Sequence, residues 1–295
     1  MKPQLTSRPC EVCGRPTAHQ LLYEIRGCTV YRCRDCGLGS TQIPAGVTPV
    51  DLYQERYFNG GQRDGYGDYL GSEPVLRREF RATVATLLNY VPAGGRLLEV
   101  GSAYGFFMEE ARRHYECVGI EVSASAVRHC RTSGLDVRHG TLEEIASSGG
   151  LGDFDAIVML DVIEHLERPF QTLQRLRGLT RPRAVLMMTT GDWNSAVARA
   201  MGRRWRLMTP PQHLFFFSNA TLGSLLVRAG FAPETWTNPW KTVPVGLVAY
   251  QVARRCGLRL PIGESLYRVG VPVNLFDAMR VIARTAPVAS PAATE

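Results

Sequence analysis

The stretch RLLEVGSAYGFF, residues 96–107, decides the fold of this chain. An apolar run ends at Gly101, small residues follow as far as Gly105, and Phe106 and Phe107 begin a segment of helical character. A glycine turn between a strand and a helix is the usual place for a nucleotide in an α/β fold. The first question is which nucleotide this turn accepts.

The spacing of the turn excludes two common nucleotide sites. Gly101, Ala103 and Gly105 do not form the G-x-G-x-x-G of dinucleotide enzymes, and no Gly-Lys-Ser/Thr follows as in a phosphate loop. A second strand, ECVGIE, ends at Glu121, where a carboxylate can accept hydrogen bonds from both ribose hydroxyls. This combination suits a nucleoside without a pyrophosphate, of which S-adenosylmethionine (SAM) is the commonest.

Short apolar strands alternate with helices on both sides of the turn. Strands are predicted at residues 96–100, 116–121, 135–138, 154–160 and 183–189, and a last one within 274–285. A helix near the end of this region is predicted to have Asn219 as its N-cap and to stop at Gly230. Such alternation is typical of a parallel sheet that is covered by helices on both faces.

Four of the eight cysteines form two matched pairs near the N-terminus. They have the spacing C-x2-C-x19-C-x2-C, and they are Cys10, Cys13, Cys33 and Cys36. Four-thiolate zinc sites have this spacing. Disulfides fit poorly in a chain without an export signal, and a redox role for one pair is a further alternative. A module of about 40 residues buries little core, and structural zinc contributes roughly 10–16 kcal/mol. We therefore predict a structural Zn²⁺ with no open coordination position.

The net charge of +7 comes almost entirely from scattered arginines, because Lys2 and Lys241 are the only lysines. A nucleic-acid-binding face has a basic stripe interleaved with aromatic residues, and none is evident. One cluster around Trp205 can hold an anionic substrate, and it consists of Arg199, Arg203, Arg204 and Arg206.

With no signal pattern and no apolar run of membrane-spanning length, we expect a cytoplasmic protein without nucleic-acid or membrane partners. The sequence does not indicate an oligomeric state.

From residue 75 to 232 the chain resembles the class I SAM-dependent methyltransferases. The resemblance rests on EVGSAYG (99–105), on Glu121 and on FDAIVMLDVIEHLERP (154–169). It implies a Rossmann-like α/β fold with a mostly parallel seven-stranded sheet. It also implies these cofactor-binding residues: Glu99, Gly101, Ser102, Ala103, Tyr104, Gly105, Glu121, Val122, Thr141, Leu142, Asp161 and Val162. Ala103 departs from the family pattern, since many members have glycine there.

A four-cysteine module in front of such a domain resembles methyltransferases of bacterial secondary-metabolite and polysaccharide clusters. The resemblance implies a small-molecule acceptor, either a biosynthetic intermediate or a sugar-like compound. We predict a zinc-ribbon-like cysteine module at 1–42, a tyrosine-rich linker or lid at 43–74, a methyltransferase domain at 75–284 and a flexible tail at 285–295. The aromatic residues of the lid are Tyr53, Tyr57, Phe58, Tyr66 and Tyr69.

Three residues near the predicted strand ends are candidates for catalysis. Methyl transfer is an in-line displacement at a sulfonium, so the protein must exclude water and align the donor with the acceptor. A general base is needed only if the acceptor begins protonated, and histidine suits that task near neutral pH. His213 and His165 are the candidate bases, and Glu164, which directly precedes His165, is the third candidate. The alternative is that both histidines only line the cleft.

Two other functions stay open on sequence grounds. Some ribosomal RNA guanine methyltransferases also begin with a four-ligand zinc module, which makes an RNA base methyltransferase the first alternative. The Asn/Asp-Pro-Pro-aromatic signature of amino-group methylation is absent after the fourth strand, where LDVIEH (160–165) stands. The second alternative is a non-catalytic SAM-binding scaffold protein that acts through its zinc module.

Overall fold

The computed structural model describes residues 5–147 and 149–286. The strands are β1 (Leu5–Cys10), β2 (Arg15–Ile25), β3 (Cys28–Cys33), β4 (Gly39–Gln42), β5 (Arg96–Val100), β6 (Glu116–Glu121), β7 (Asp136–His139), β8 (Phe154–Leu160), β9 (Thr180–Gly191), β10 (Phe215–Phe216), β11 (Phe231–Thr237), β12 (Lys241–Pro244), β13 (Gly270–Val273) and β14 (Ala278–Thr285). The helices are α1 (Glu55–Phe58), α2 (Glu73–Leu88), α3 (Phe106–Ala111), α4 (Ala124–Thr132), α5 (Leu142–Ser147), α6 (Pro169–Gly178), α7 (Ala196–Met201), α8 (Asn219–Arg228), α9 (Val245–Arg255) and α10 (Glu264–Tyr267).

A seven-stranded sheet in the order β11-β14-β9-β8-β5-β6-β7 forms the centre of the molecule. Neighbours from β9 to β7 pair in parallel, and β14 and β11 add antiparallel at one edge. The middle strands are apolar on both faces because helices cover both, and Leu98, Ile157 and Val158 have no exposed surface. This confirms the predicted Rossmann-like fold with a mostly parallel seven-stranded sheet.

The predicted strand bounds at 96–100, 116–121 and 154–160 match β5, β6 and β8. The predicted N-cap of α8 is wrong. Ser218, not Asn219, has the extended backbone of a cap and accepts a hydrogen bond from Thr221 N–H, while the Thr221 hydroxyl accepts from Ser218 N–H. The reciprocal bonds of this capping box satisfy two N–H groups, so the helix begins one residue earlier than predicted.

The four N-terminal strands form a second, antiparallel sheet in the order β1-β2-β3-β4-β10. Its last strand, β10, comes from the region after β9, far away in sequence. Val12 and Leu38 share one buried apolar cluster with Leu222 and Leu226 of α8. The predicted cysteine module is therefore packed against the rest of the chain through side chains and through a shared sheet.

The predicted lid region and residues 241–273 lie next to each other, because the Tyr250 hydroxyl donates to Gly60 O and Gln62 O. Residues 43–72 contain only a 3₁₀ turn at Pro49–Tyr53 and the short helix α1. Residues 241–273 form the β12-β13 hairpin with α9 and α10 between its strands. No helix among the described residues is long and apolar enough to cross a bilayer. Of the predicted tail, Thr285 ends β14 and residues 287–295 lie outside the described residues.

Candidate functional site

A cleft of about 800 Å³ opens at the carboxyl ends of the parallel strands. Ligands of open α/β sheets bind at this edge, because the loops that leave adjacent strands diverge there. The predicted lid residues line one side of the cleft: Tyr53, Tyr57, Phe58, Tyr66 and Tyr69. Residues of β12 and α9 line another side, among them Lys241, Val243, Leu247 and Gln251. The cleft is thus lined by the predicted lid and by the β12–α9 segment, to which the sequence assigned no role.

The glycine turn between β5 and α3 has a left-handed backbone at three positions. Gly101 has φ +77°, Gly105 has φ +79°, and Ala103 has φ +46°. A Cβ on Gly101 would lie 2.6 Å from the Val162 side chain. Glycine at 101 therefore serves both the backbone conformation and the close approach of the loop after β8.

Glu121 ties the glycine turn to the end of β6. Its Oε2 accepts a hydrogen bond from Ala103 N–H and its Oε1 accepts one from Ser123 N–H, each at 2.8 Å. The carboxyl group is buried, and this burial raises its pKa. Two backbone donors hold the carboxyl group in one orientation at the cleft wall, and each oxygen keeps further acceptor capacity for a ligand.

Among the residues that the structure describes, two buried polar atoms near Glu121 have no hydrogen-bond partner. They are Glu99 Oε2 and Ser102 Oγ, and both residues line the cleft. Burial, followed by the charge of Glu121, raises the pKa of Glu99 well above its usual value. Unpaired buried polar atoms are costly, and their position here fits a ligand that supplies the missing partners.

Ten of the twelve predicted cofactor-binding residues line this cleft, and they are Glu99, Gly101, Ser102, Ala103, Glu121, Val122, Thr141, Leu142, Asp161 and Val162. The other two, Tyr104 and Gly105, lie outside its lining. The Tyr104 ring packs against Phe58 and His129 with centroid separations of 5.1 and 5.2 Å. Gly105 caps α3. These two residues belong to the turn but do not line the cleft.

Glu164, His165 and His213 meet at another part of the lining of this cleft. One potential ligand atom from each lies within 4.8 Å of the others, and the two imidazole rings are 4.8 Å apart. His165 Nδ1 is 2.9 Å from Gln212 O and 2.7 Å from the Tyr53 hydroxyl, which also donates to Gln212 O. With Nδ1 protonated, Nε2 of His165 is left as a proton acceptor.

Burial sets the protonation of this group. It lowers the pKa of His213 well below the usual value, with help from the neighbouring His165, and it also lowers the pKa of His165. Burial, together with the charge of Asp161, raises the pKa of Glu164 to about 8. At neutral pH both imidazoles are therefore neutral and able to accept a proton, while Glu164 is mostly protonated.

An ion pair between Lys241 and Asp161 crosses the cleft, and sequence reasoning missed it. Burial is the largest single influence and acts to raise the pKa of Asp161, but the charge and hydrogen bond of Lys241, together with the Thr189 hydroxyl, outweigh it and lower the pKa. The Thr189 hydroxyl also donates to Asp161 Oδ1 at 2.9 Å. The rarity of lysine was the only signal in the sequence, and it did not indicate a partner 80 positions away.

The structure divides the predicted arginine cluster. Only Arg206 lines the cleft, and its guanidinium donates to both oxygens of the buried Asp277, at 2.8 and 2.9 Å. Trp205 Nε1 donates to the same carboxylate at 2.8 Å. The other members of the cluster, Arg199, Arg203 and Arg204, are outside the lining of this cleft.

The four predicted metal ligands meet at one point of the N-terminal sheet. All four sulfur atoms lie within 4.8 Å of one another, with Cys10–Cys36 and Cys13–Cys33 separations of 3.6 and 3.9 Å. Tetrahedral zinc with Zn–S bonds of about 2.3 Å separates its sulfurs by about 3.8 Å. A disulfide requires about 2.05 Å, so these thiols are unbridged. The donor set and its spacing fit a zinc ion.

Known proteins match the region that carries the glycine turn, Glu121 and the three candidate catalytic residues. A family model described as "Methyltransferase domain" matches residues 75–235. The ubiquinone biosynthesis O-methyltransferase of Cereibacter sphaeroides is 29% identical over 179 residues, which cover 56% of this chain and 70% of that protein. The enzyme of the same name from Xanthomonas axonopodis pv. citri is 27% identical over 167 residues, covering 51% and 70%. A SAM-dependent methyltransferase structure from Archaeoglobus fulgidus has a TM-score of 0.50 at 17% identity, covering 71% and 94%, and supports the fold.

Proposed function

Because this chain belongs to the methyltransferase domain family and is a class I SAM-dependent methyltransferase, we propose that it methylates a hydroxyl group of a small-molecule acceptor. The observation that carries the proposal is one cleft lined both by Glu121 with the glycine turn, called the cofactor end below, and by Glu164, His165 and His213, called the acceptor end. Glu121 and the glycine turn suit a nucleoside at one end, and neutral histidines suit a protonated acceptor at the other. The relatives named for O-methylation support an oxygen acceptor.

At the cofactor end, we assign the ribose diol of SAM to the Glu121 carboxyl group. Its two backbone hydrogen bonds fix its orientation before the ligand arrives, which reduces the entropy lost on binding. The unpaired Glu99 Oε2 and Ser102 Oγ are polar partners for the rest of the cofactor. Bound SAM supplies an electrophilic methyl group, while the residues around it bind, orient and exclude water.

We expect Glu121→Gln to weaken binding of SAM and of its demethylated product by about 10- to 100-fold, since hydrogen bonds to charged groups are worth roughly 1.5–3 kcal/mol. Calorimetric titration measures the affinity. Glu116→Gln is the matched control, because Glu116 lies on the same strand and its side chain is exposed. Equal affinities of the two variants would remove Glu121 from the cofactor site.

At the acceptor end, we assign proton removal to His213 or His165. A hydroxyl attacks a sulfonium methyl group better as its proton leaves, and a neutral imidazole within the cleft can take that proton. The Tyr53 hydroxyl and Gln212 O hold the His165 ring in place. The Tyr-rich segment and the β12–α9 segment cover the cleft, which supports a small acceptor shielded from water.

We expect His213→Ala and His165→Ala to show that turnover and SAM affinity depend on different residues of the cleft. The variant that removes the base lowers turnover by about 100-fold or more and leaves SAM affinity near wild type. Release of the demethylated cofactor, measured with a panel of catechols and hydroxylated sugars as acceptors, gives the rate. Wild-type turnover in both variants, at wild-type SAM affinity, would contradict a histidine base.

For the N-terminal region we propose a structural zinc ion held by the four thiolates of the cysteine module (residues 1–42). Cys13 N–H and Leu38 N–H each lie 3.5 Å from a ligand sulfur, Cys10 Sγ and Cys36 Sγ respectively, as tight metal-binding turns require. Four protein ligands leave no position for a substrate, so the metal supports the fold. Metal analysis should find about one zinc per chain, retained by the control Cys256→Ser. Unchanged zinc in Cys10→Ser combined with Cys33→Ser would contradict the site.

A further inference from the structure

Strand β4 joins the cysteine module to the segment that carries a candidate catalytic residue. It pairs antiparallel with β10, which begins two residues after His213. Phe215 lies opposite Ser40 and Phe216 lies opposite Gly39 in this pairing. A strand of the module is therefore hydrogen-bonded to the segment that carries one of the two candidate bases.

Thr41 makes two hydrogen bonds to the main chain at and next to His213. Its backbone N–H donates to Leu214 O at 2.8 Å, and its hydroxyl donates to His213 O at 2.7 Å. From the other side, Leu214 N–H donates to Glu164 O at 2.8 Å. The main chain at 213–214 is thus held between the cysteine module and the loop that carries Glu164 and His165.

The second cysteine pair fixes the start of β4. Cys33 N–H donates to Leu38 O at 2.9 Å, and Leu38 N–H lies 3.5 Å from Cys36 Sγ. Leu38 directly precedes β4, and Cys33 ends the neighbouring strand β3. The turn that gathers the sulfur atoms therefore also determines where Thr41 lies.

We propose that the cysteine module acts as a positioning device for the active site, in which metal-held β4 places His213 beside Glu164 and His165 through Thr41. This inference rests on the proposed zinc site and on the proposed role of His213. Small metal-binding modules depend on their metal for folding energy, so loss of the metal releases β4. The segment before β10 then loses both hydrogen bonds from Thr41.

Hydrogen exchange of the zinc-loaded and the zinc-stripped full-length protein tests the coupling without any acceptor. We expect removal of zinc by a chelator to accelerate exchange in the peptide spanning 207–216 by more than about tenfold, because its bonds to β4 open. The peptide of strand β8 (Phe154–Leu160), at the centre of the sheet, is the internal control and keeps its protection.

Substitutions at Thr41 test the contact without touching the metal. Thr41→Val removes the hydroxyl donor to His213 O and should accelerate exchange at 207–216 about fivefold, the factor for roughly one hydrogen bond. The His213 imidazole signals in ¹⁵N NMR should shift with it. Thr41→Ser keeps the hydroxyl and should restore wild-type values. Thr29→Val is the matched control on the neighbouring strand β3, and all three variants should retain zinc.

The outcomes separate this inference from the functional proposals. Chelation that removes zinc but leaves exchange at 207–216 unchanged, together with a Thr41→Val protein that behaves like Thr29→Val, overturns the positioning role. A purified protein without zinc contradicts the metal site, while Thr41→Val still tests the contact to His213. If the His213 signals shift in Thr41→Val but His213→Ala keeps normal turnover, His213 is not the base. The structural coupling between β4 and His213 then still holds.

Discussion

Ala103 occupies a left-handed backbone conformation that alanine adopts at a cost of about 1–2 kcal/mol. Ala103→Gly relieves this strain and keeps the N–H that donates to Glu121, but it raises the entropy of the unfolded chain. We expect a net gain in the free energy of unfolding of about 0.5–1 kcal/mol, measured by denaturant titration. Gly101→Ala, whose Cβ meets Val162, should destabilise the protein instead. A loss of stability in Ala103→Gly would show that its methyl contacts outweigh the strain.

Glu164 makes stability fall with rising pH. Its pKa is about 8 in the folded protein and close to 4.5 when exposed, so between these values the folded state binds more protons than the unfolded one. The free energy of unfolding therefore decreases with pH over this window, by up to about 1.4 kcal/mol per unit from this group. Glu164→Gln should flatten the decrease in denaturation curves recorded from pH 5 to 8. Exposed Glu167→Gln is the control, and parallel profiles would contradict the assignment.

At the scale of elements, substitutions at the start of α8 test which of two residues caps the helix. Ser218→Ala removes the acceptor for Thr221 N–H and should cost about 1 kcal/mol of unfolding free energy. Asn219→Ala, in the exposed first turn, should change stability little. Thermal denaturation of both variants measures the difference. A larger loss in Asn219→Ala would restore the cap that the sequence pattern predicted.

Elements with a local cause could be predicted from the sequence, and elements with a distant cause could not. β5 and β8 are apolar because helices cover both faces, and that pattern is visible within the strand itself. β10 has two residues and exists because Gly39 and Ser40 lie opposite them. No local pattern indicates such a partner. The same difference separates Glu121, predicted from its distance to Gly101, from Lys241, whose role depends on Asp161.

At the scale of the molecule, the cysteine module and the methyltransferase domain share one buried apolar cluster, although the sequence indicates a boundary between them. Composition changes sharply after residue 40, yet Val12 and Leu38 pack with Leu222 in one core. Arg228 donates to the carbonyl groups of both Glu11 and Val12. The cysteine pattern indicates what holds the module together. The elements against which the module packs depend on three-dimensional contacts, which the spacing of the cysteines does not encode.

This shared core predicts how the whole protein responds to metal removal. Structural zinc contributes roughly 10–16 kcal/mol in small modules, and about 1 kcal/mol shifts the midpoint of a domain of this size by about 2–4 °C. Since the module packs against α8, we expect chelation to lower the single unfolding transition by at least about 10 °C in scanning calorimetry. Cys256→Ser, which changes an exposed thiol, should respond as the wild type does. Two transitions, with the larger one insensitive to the chelator, would mean that the module unfolds independently.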